Sequence, residues 1–112
     1  MNRRVFAVAL SLAFGLAFAP RLAFAESHLE QAVMHTKQAI EHGKMGHPDV
    51  LVTHAEQALK HAEAAEKEKA NPHTKQGITH LEKAIETGKE KKAEAATKHA
   101  EEALTHLEQA EK

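Results

Sequence analysis

Residues 28–42 read HLEQAVMHTKQAIEH, and this run decides the fold. Leu29, Ala32, Val33, Thr36, Ala39 and Ile40 recur at the three- and four-residue steps that put side chains on one face of an α-helix. Ahead of them, Ser27-His28-Leu29-Glu30 has the S-x-x-E form of a capping box, and behind them Gly43 predicts a C-terminal stop. The spacing therefore predicts a helix over about 27–42.

The same pattern extends outward to the C-terminus. The chain is punctuated at Gly43 to Pro48, at Asn71-Pro72 and near Gly88, and between these points Ala, Glu, Lys, Leu and Gln dominate, all good helix formers. Pro48 and Pro72 fit first-turn positions, where the missing N–H costs nothing, and Gly88 repeats the role of Gly43. Three more helices are predicted, over about 48–69, 72–87 and 91–111. Placing His28 on His73 aligns residues 28–67 with residues 73–112 without a gap, at roughly 18 identities. Gly43-Lys44 then falls on Gly88-Lys89, and His54-Ala55-Glu56 on His99-Ala100-Glu101. A shorter unit lies beneath, since His28-x-Glu30-Gln31-Ala32-Val33-x-His35 recurs as His54-x-Glu56-Gln57-Ala58-Leu59-x-His61. The fold class predicted is all-α: an up-down-up-down four-helix bundle built from a duplicated helical hairpin, because short loops favour antiparallel neighbours.

The N-terminal segment has another character. Arg3 and Arg4 give a basic start, Val5 to Ala19 an apolar run, and Ala23-Phe24-Ala25 a small-residue cleavage motif. This is the layout of a secretory signal peptide over residues 1–25, cut after Ala25, leaving residues 26–112 as the bundle. The apolar run is shorter than the roughly 20 residues a spanning helix needs, and Pro20 and Arg21 interrupt it, so no membrane association is expected after cleavage. Arg3-Arg4-Val5-Phe6 leaves twin-arginine export open beside the general secretory route.

Loss of the leader removes all three arginines, all four phenylalanines and no acidic residue, which takes the net charge from −1 to −4 with histidines neutral. A mildly acidic surface without arginine or stacking side chains argues against nucleic acid as a partner and suits a protein that attracts cations. With no cysteine, thiolate zinc sites, C-x-x-C-H haem attachment and thiol redox chemistry are excluded. Alanine fills most core positions, so the domain is short of apolar surface to bury, and bound metal is the staple it could use.

All ten histidines follow the leader and step by seven within each helix: His28, His35 and His42; His47, His54 and His61; His73 and His80; His99 and His106. A seven-step returns within about 20° of its start, so each set makes one stripe, about 100° from the centre of the apolar face. Successive members stand about 10.5 Å apart along the axis, too far to share one ion at bonds near 2 Å. Glu102 alone offers a carboxylate between two of them, three residues after His99 and four before His106. Sites must therefore bridge helices. In an antiparallel hairpin facing residues have numbers of constant sum, which couples His42 with His47, His35 with His54 and His28 with His61. In the second hairpin it couples His80 with His99 and His73 with His106, and then Thr87 with Lys92, which make no comparable site. The two stripes of a hairpin either face each other or both face away; in the latter case the first helix would pair with the fourth and the second with the third.

Imidazole with an occasional carboxylate suits Cu(II), Ni(II) and Zn(II), and the Irving–Williams order puts copper first. Cu(I) would want sulfur, and only Met34 and Met45 follow the leader, where they read as filler at a core edge and in a loop. Glu56–Lys60 and Glu63–Lys67 read as helix-stabilising pairs on solvated faces.

With its leader, duplicated hairpin and heptad histidines, including His42-Gly43 and the Lys98-His99-Ala100-Glu101-Glu102-Ala103 motif, the chain resembles the small metal-binding protein family of Gram-negative periplasms over its whole length after the leader. The resemblance implies a monomeric four-helix bundle that binds several divalent ions, copper foremost, and buffers or scavenges it, with all ten histidines as candidate ligands. Thr87 and Lys92 depart from the pattern, and the chain ends in Glu111-Lys112 without a histidine tail, which implies a lower capacity near the second hairpin turn. The function expected is periplasmic sequestration or buffering of divalent metal ions. The competing reading is a helical interaction or stress protein whose histidines respond to pH. Enzymatic activity is not expected: the sequence shows no nucleophile with a base, no paired catalytic acids and no phosphate loop, and it lacks the Glu-x-x-His pattern of di-iron bundles.

Overall fold

The computed structural model describes residues 27–112; the signal peptide expected over residues 1–25 lies outside them. Ser27 begins the first helix as its sequence predicts. Glu30 N–H donates to Ser27 Oγ (3.1 Å) while Ser27 N–H donates to Glu30 Oε1 (2.9 Å), completing the capping box. Four helices follow: α1 (His28–Lys44), α2 (Pro48–Glu68), α3 (Pro72–Lys89) and α4 (Ala93–Glu111). Pro48 and Pro72 occupy first-turn positions, and Asn71 caps α3 by accepting from His73 N–H at 2.8 Å.

Gly43 and Gly88 are not the stops that the sequence predicts. Helices α1 and α3 run through them to Lys44 and Lys89. The reversal comes three residues later, in matching turns that satisfy the last carbonyls. Gly46 N–H donates to Gly43 O and His47 N–H to His42 O, both at 3.0 Å. In the second hairpin Lys91 N–H donates to Gly88 O (2.9 Å) and Lys92 N–H to Thr87 O (3.0 Å). This motif needs a left-handed residue, which is Gly46 (φ 79) in one turn and Lys91 (φ 67) in the other. Gly43 and Gly88 serve packing instead. A Cβ on Gly43 would meet Leu51 Cδ1 at 2.6 Å, and one on Gly88 would meet Val52 Cγ2 at 2.6 Å.

Lys91 is the strained version of the turn, since a side chain in the left-handed region costs about 1 kcal/mol that glycine does not. Lys91→Gly is expected to stabilise the protein by about 0.5–1 kcal/mol, read as a higher urea midpoint at unchanged slope. The lost ion pair with Asp49 (2.7 Å) is exposed and offsets little. An unchanged or lower midpoint would show that the turn carries no strain.

The helices form a ring in which α1 neighbours α2 and α4, and α3 neighbours α2 and α4. Alanines line the interior, among them Ala32, Ala39, Ala55, Ala58, Ala84, Ala100 and Ala103, all fully buried. Among the described residues the largest fully buried side chains are Leu51, Leu81 and Leu107. The residues aligned with these three in the other half of the chain are small and buried as well: Ala96, Thr36 and Ala62. Large against small at matched places lets a close-packed core fill without clash, which two identical halves would not do. Thr36 and Thr97 are accommodated by donating to the carbonyls of Ala32 and Ala93, each at 2.7 Å.

Ion pairs join one hairpin to the other: Lys37–Glu108 and Lys44–Glu101 between α1 and α4, Lys75–Glu66 and Lys89–Glu56 between α2 and α3. Glu56 thus reaches across to α3 (3.8 Å) where the sequence suggested Lys60 of its own helix. Met34 is exposed and so does not fill a core edge, while Met45 lies exposed in the turn after α1, as its sequence position predicts. Among the described residues no helix is long and apolar enough to cross a membrane.

Candidate metal centre

The stripes of each hairpin face each other. His28 lies against His61, His35 against His54 and His42 against His47 in the α1/α2 seam, with ring centroids 5.3, 6.1 and 6.5 Å apart. In the α3/α4 seam His73 meets His106 at 5.8 Å and His80 meets His99 at 6.3 Å. All five couples expected from the hairpin arithmetic are present, and pairing of the histidine stripes between α1 and α4 or α2 and α3 is excluded. Those two seams carry the ion pairs instead. The turns anchor one couple directly, since the His47 N–H to His42 O bond ties the backbones of those two histidines together.

Each seam is more than a row of couples. His61 also stacks on His35 (5.6 Å, 2° between planes), His54 on His42 (5.2 Å, 8°) and His106 on His80 (5.5 Å, 4°). The imidazoles interleave into a continuous ladder of six in the first hairpin and four in the second. The constant-sum rule names the residue directly opposite and misses these diagonals, whose rings lie nearer than those of the direct couples His35–His54, His42–His47 and His80–His99. They follow from side chains of an antiparallel pair leaning along their own helix axes, so each ring falls between two rings opposite.

Eight of the ten histidines are half-buried, and only the ladder ends His47 and His73 are exposed. Six of them, at His35, His42, His54, His80, His99 and His106, bury an Nδ1 that has no hydrogen-bond partner. A buried polar atom is nearly always satisfied, so six orphans in one kind of ring ask for a ligand that the polypeptide does not provide. A divalent cation bound to the neutral imidazole lone pair meets that need. His28 Nδ1 and His61 Nδ1 approach each other to 3.1 Å.

Glu102 takes a different place from the one its spacing suggested. Its Oε1 lies 3.3 Å from His80 Nδ1 and 3.5 Å from His99 Nδ1, joining a histidine of its own helix to one of α3, where the sequence placed it between His99 and His106. Neither approach is directed as a hydrogen bond, which is why both nitrogens remain orphans. His80, His99 and Glu102 are the one set of three candidate ligands among the described residues whose donor atoms lie within 4.8 Å of one another. Sequence reading overlooked Glu68, whose Oε2 lies 3.9 Å from His28 Nε2 at the open end of the first ladder. The signal was present, because Glu68 continues the seven-step of His47, His54 and His61.

Burial and crowding both favour neutral rings. His54 is held below the ordinary histidine value of 6.5 by desolvation first, then by His42 and His35. His61 is lowered by desolvation, then by His28, His35 and Lys60. His80 is lowered by desolvation, which outweighs the opposing Glu102 carboxylate, with further lowering from His106, Lys83 and His99. On unfolding these three rings take up protons at a higher pH than in the fold. Stability is therefore intact above about pH 6.5 and declines as pH falls through that value towards the folded pKa values. The thermal midpoint of the metal-free protein should drop between pH 7.5 and 5.5. The triple substitution His54→Gln, His61→Gln, His80→Gln should flatten that drop, and an equally steep fall in the variant would assign it to other groups.

A comparison with curated proteins gives no match. The family model described as "Small metal-binding protein" matches residues 3–110. A match over nearly the whole chain, laid on a fold whose two histidine seams leave six imidazole nitrogens unpartnered, settles the relationship: the chain belongs to the small metal-binding protein family.

Proposed function

We propose that the protein sequesters and buffers divalent metal ions, Cu(II) foremost and Ni(II) and Zn(II) besides, at histidine sites bridging the two helices of each hairpin. All ten histidines and Glu102 are the candidate ligands. The observation that carries this reading is the 3.1 Å approach of His28 Nδ1 to His61 Nδ1. Two nitrogens on one ion at about 2.0 Å lie about 2.8 Å apart as cis square-planar ligands and about 3.3 Å apart as tetrahedral ones, so the couple is spaced for a shared ion. An all-imidazole donor set ranks copper above nickel and zinc. The setting is the periplasm, with the protein working as a monomer. Support for export comes from the basic start at Arg3-Arg4, the apolar run Val5 to Ala19 and the Ala23-Phe24-Ala25 motif.

Calorimetric titration with Cu(II), Ni(II) and Zn(II) at pH 7.5 tests the reading. Several sites per chain are expected, tightest for copper, weakening below about pH 6 as imidazole takes up protons. A single weak site, or none, would sink it and leave a pH-responsive bundle as the alternative.

A further inference from the structure

We propose that the second hairpin holds a discrete three-ligand centre, His80–His99–Glu102, which takes the first divalent ion before the all-imidazole ladder of the first hairpin fills. The proposal rests on the metal-binding function proposed above and adds to it an order of filling and a reason for it.

The two hairpins contain nearly the same rung twice. His35 and His54 have ring centroids 6.1 Å apart with 24° between planes; His80 and His99 have 6.3 Å and 24°. Three residues after the first histidine stand Gln38 and Lys83, and the residue three after the second histidine differs as well. It is Glu102 after His99 and Gln57 after His54, and both are exposed. The hairpins thus pose the same pair of imidazoles with a carboxylate in one case and a neutral amide in the other.

Three physical effects favour the carboxylate rung. It supplies a third donor already near the other two, with Glu102 Oε1 3.3 and 3.5 Å from the two Nδ1 atoms, close to the roughly 3.3 Å between ligands of a tetrahedral ion. It supplies a negative charge, so a bound dication is half neutralised, whereas two imidazoles leave its charge untouched. That attraction acts where the His80 and His99 side chains are only 23% and 30% exposed, and so is less screened than in open water. Binding there also breaks no hydrogen bond, which is equally true of the His35–His54 rung but not of the His28–His61 couple. At the His28–His61 couple an ion must displace the existing nitrogen-to-nitrogen contact. Lys83 opposes a cation near His80, but the same ring feels Glu102 more strongly. Glu102 is 57% exposed, so water completes the coordination of a four-coordinate ion.

Zinc is the probe for the test, being diamagnetic. In a titration of the nitrogen-labelled protein with Zn(II), the first equivalent should shift the imidazole signals of His80 and His99. The six histidines of the first hairpin should follow at later equivalents. Glu102→Gln should weaken the first site by at least about tenfold and erase the order of filling. Gln57→Glu should create a second early site at His35 and His54, a gain that no loss of folding can mimic. Early shifts spread over both hairpins in the wild type, or an unchanged order in Glu102→Gln, would overturn the proposal, as would failure of Gln57→Glu to advance His35 and His54. Absence of any histidine shift at any Zn(II) ratio would instead overturn the metal-binding reading itself.

Discussion

Excess Cu(II) at pH 7.5 is expected to raise the thermal midpoint of the metal-free protein by more than about ten degrees, and a chelator to reverse the gain. An ion that binds only the folded state at a hundredfold excess over its dissociation constant adds about 2.7 kcal/mol. In a domain this small each kcal/mol moves the midpoint by about 4–8 °C, so one occupied site suffices. The effect should be large because four of the five histidine couples join two helices, His28 to His61 and His73 to His106 among them. Histidines in the unfolded chain also bind copper, which trims the gain without removing it. Lowering the pH to 5.5 should shrink the shift, since protons compete for the same lone pairs. No shift at pH 7.5 would show that the seams do not hold ions in the folded state.

Leu51→Ala is the substitution expected to cost most. Leu51 is fully buried, and its two methyl groups lie under Gly43 and Gly88, in the space that those glycines leave open in α1 and α3. Removing a buried leucine side chain costs about 2–5 kcal/mol, through lost transfer energy and the cavity left behind. Domain stabilities are only about 5–15 kcal/mol, and this core has three fully buried leucines among alanines. The metal-free variant should therefore be close to unfolded at 37 °C, with a thermal midpoint lowered by on the order of 10–20 °C. Leu59→Ala, at a partly buried position, serves as the milder control. Saturating Cu(II) should restore much of the Leu51→Ala loss, because the ion acts on seams that the cavity does not touch. Equal midpoints for the two leucine variants would refute the picture of a core resting on few large side chains.

The thin core and the histidine seams follow from one compositional choice. A core of Ala32, Ala39, Ala55, Ala58 and their like lets helices approach closely but buries little area per residue. Close approach brings the shoulder positions of neighbouring helices together. The small side chains that weaken the apo bundle are thus the ones that bring His28 and His61 to 3.1 Å.

Much of this was determined by the sequence alone, because it depends on local or strictly periodic physics. Ser27 and Glu30 specify a helix start wherever they occur together, and Pro48 and Pro72 fit only a first turn. The seven-residue period forbids two histidines of one helix from sharing an ion, and antiparallel pairing names His28–His61, His35–His54, His42–His47, His73–His106 and His80–His99 as the couples if the stripes of a hairpin face each other. The tertiary structure decided what depends on how each helix is rotated about its axis. A stripe on the shoulder of an apolar face satisfies its own helix equally well in either neighbouring seam. Which seam it enters is set by side-chain volumes from other helices, such as Leu51 of α2 fitting beneath Gly43 and Gly88. That rotation put the histidines within hairpins and four lysine–glutamate pairs between them. It turned Gly43 and Gly88 from stops into close-contact points, because a helix ends where the left-handed turn falls, at Gly46 and Lys91. It also carried Glu102 to His80, a residue far away in sequence that only the packing of α3 on α4 brings beside it.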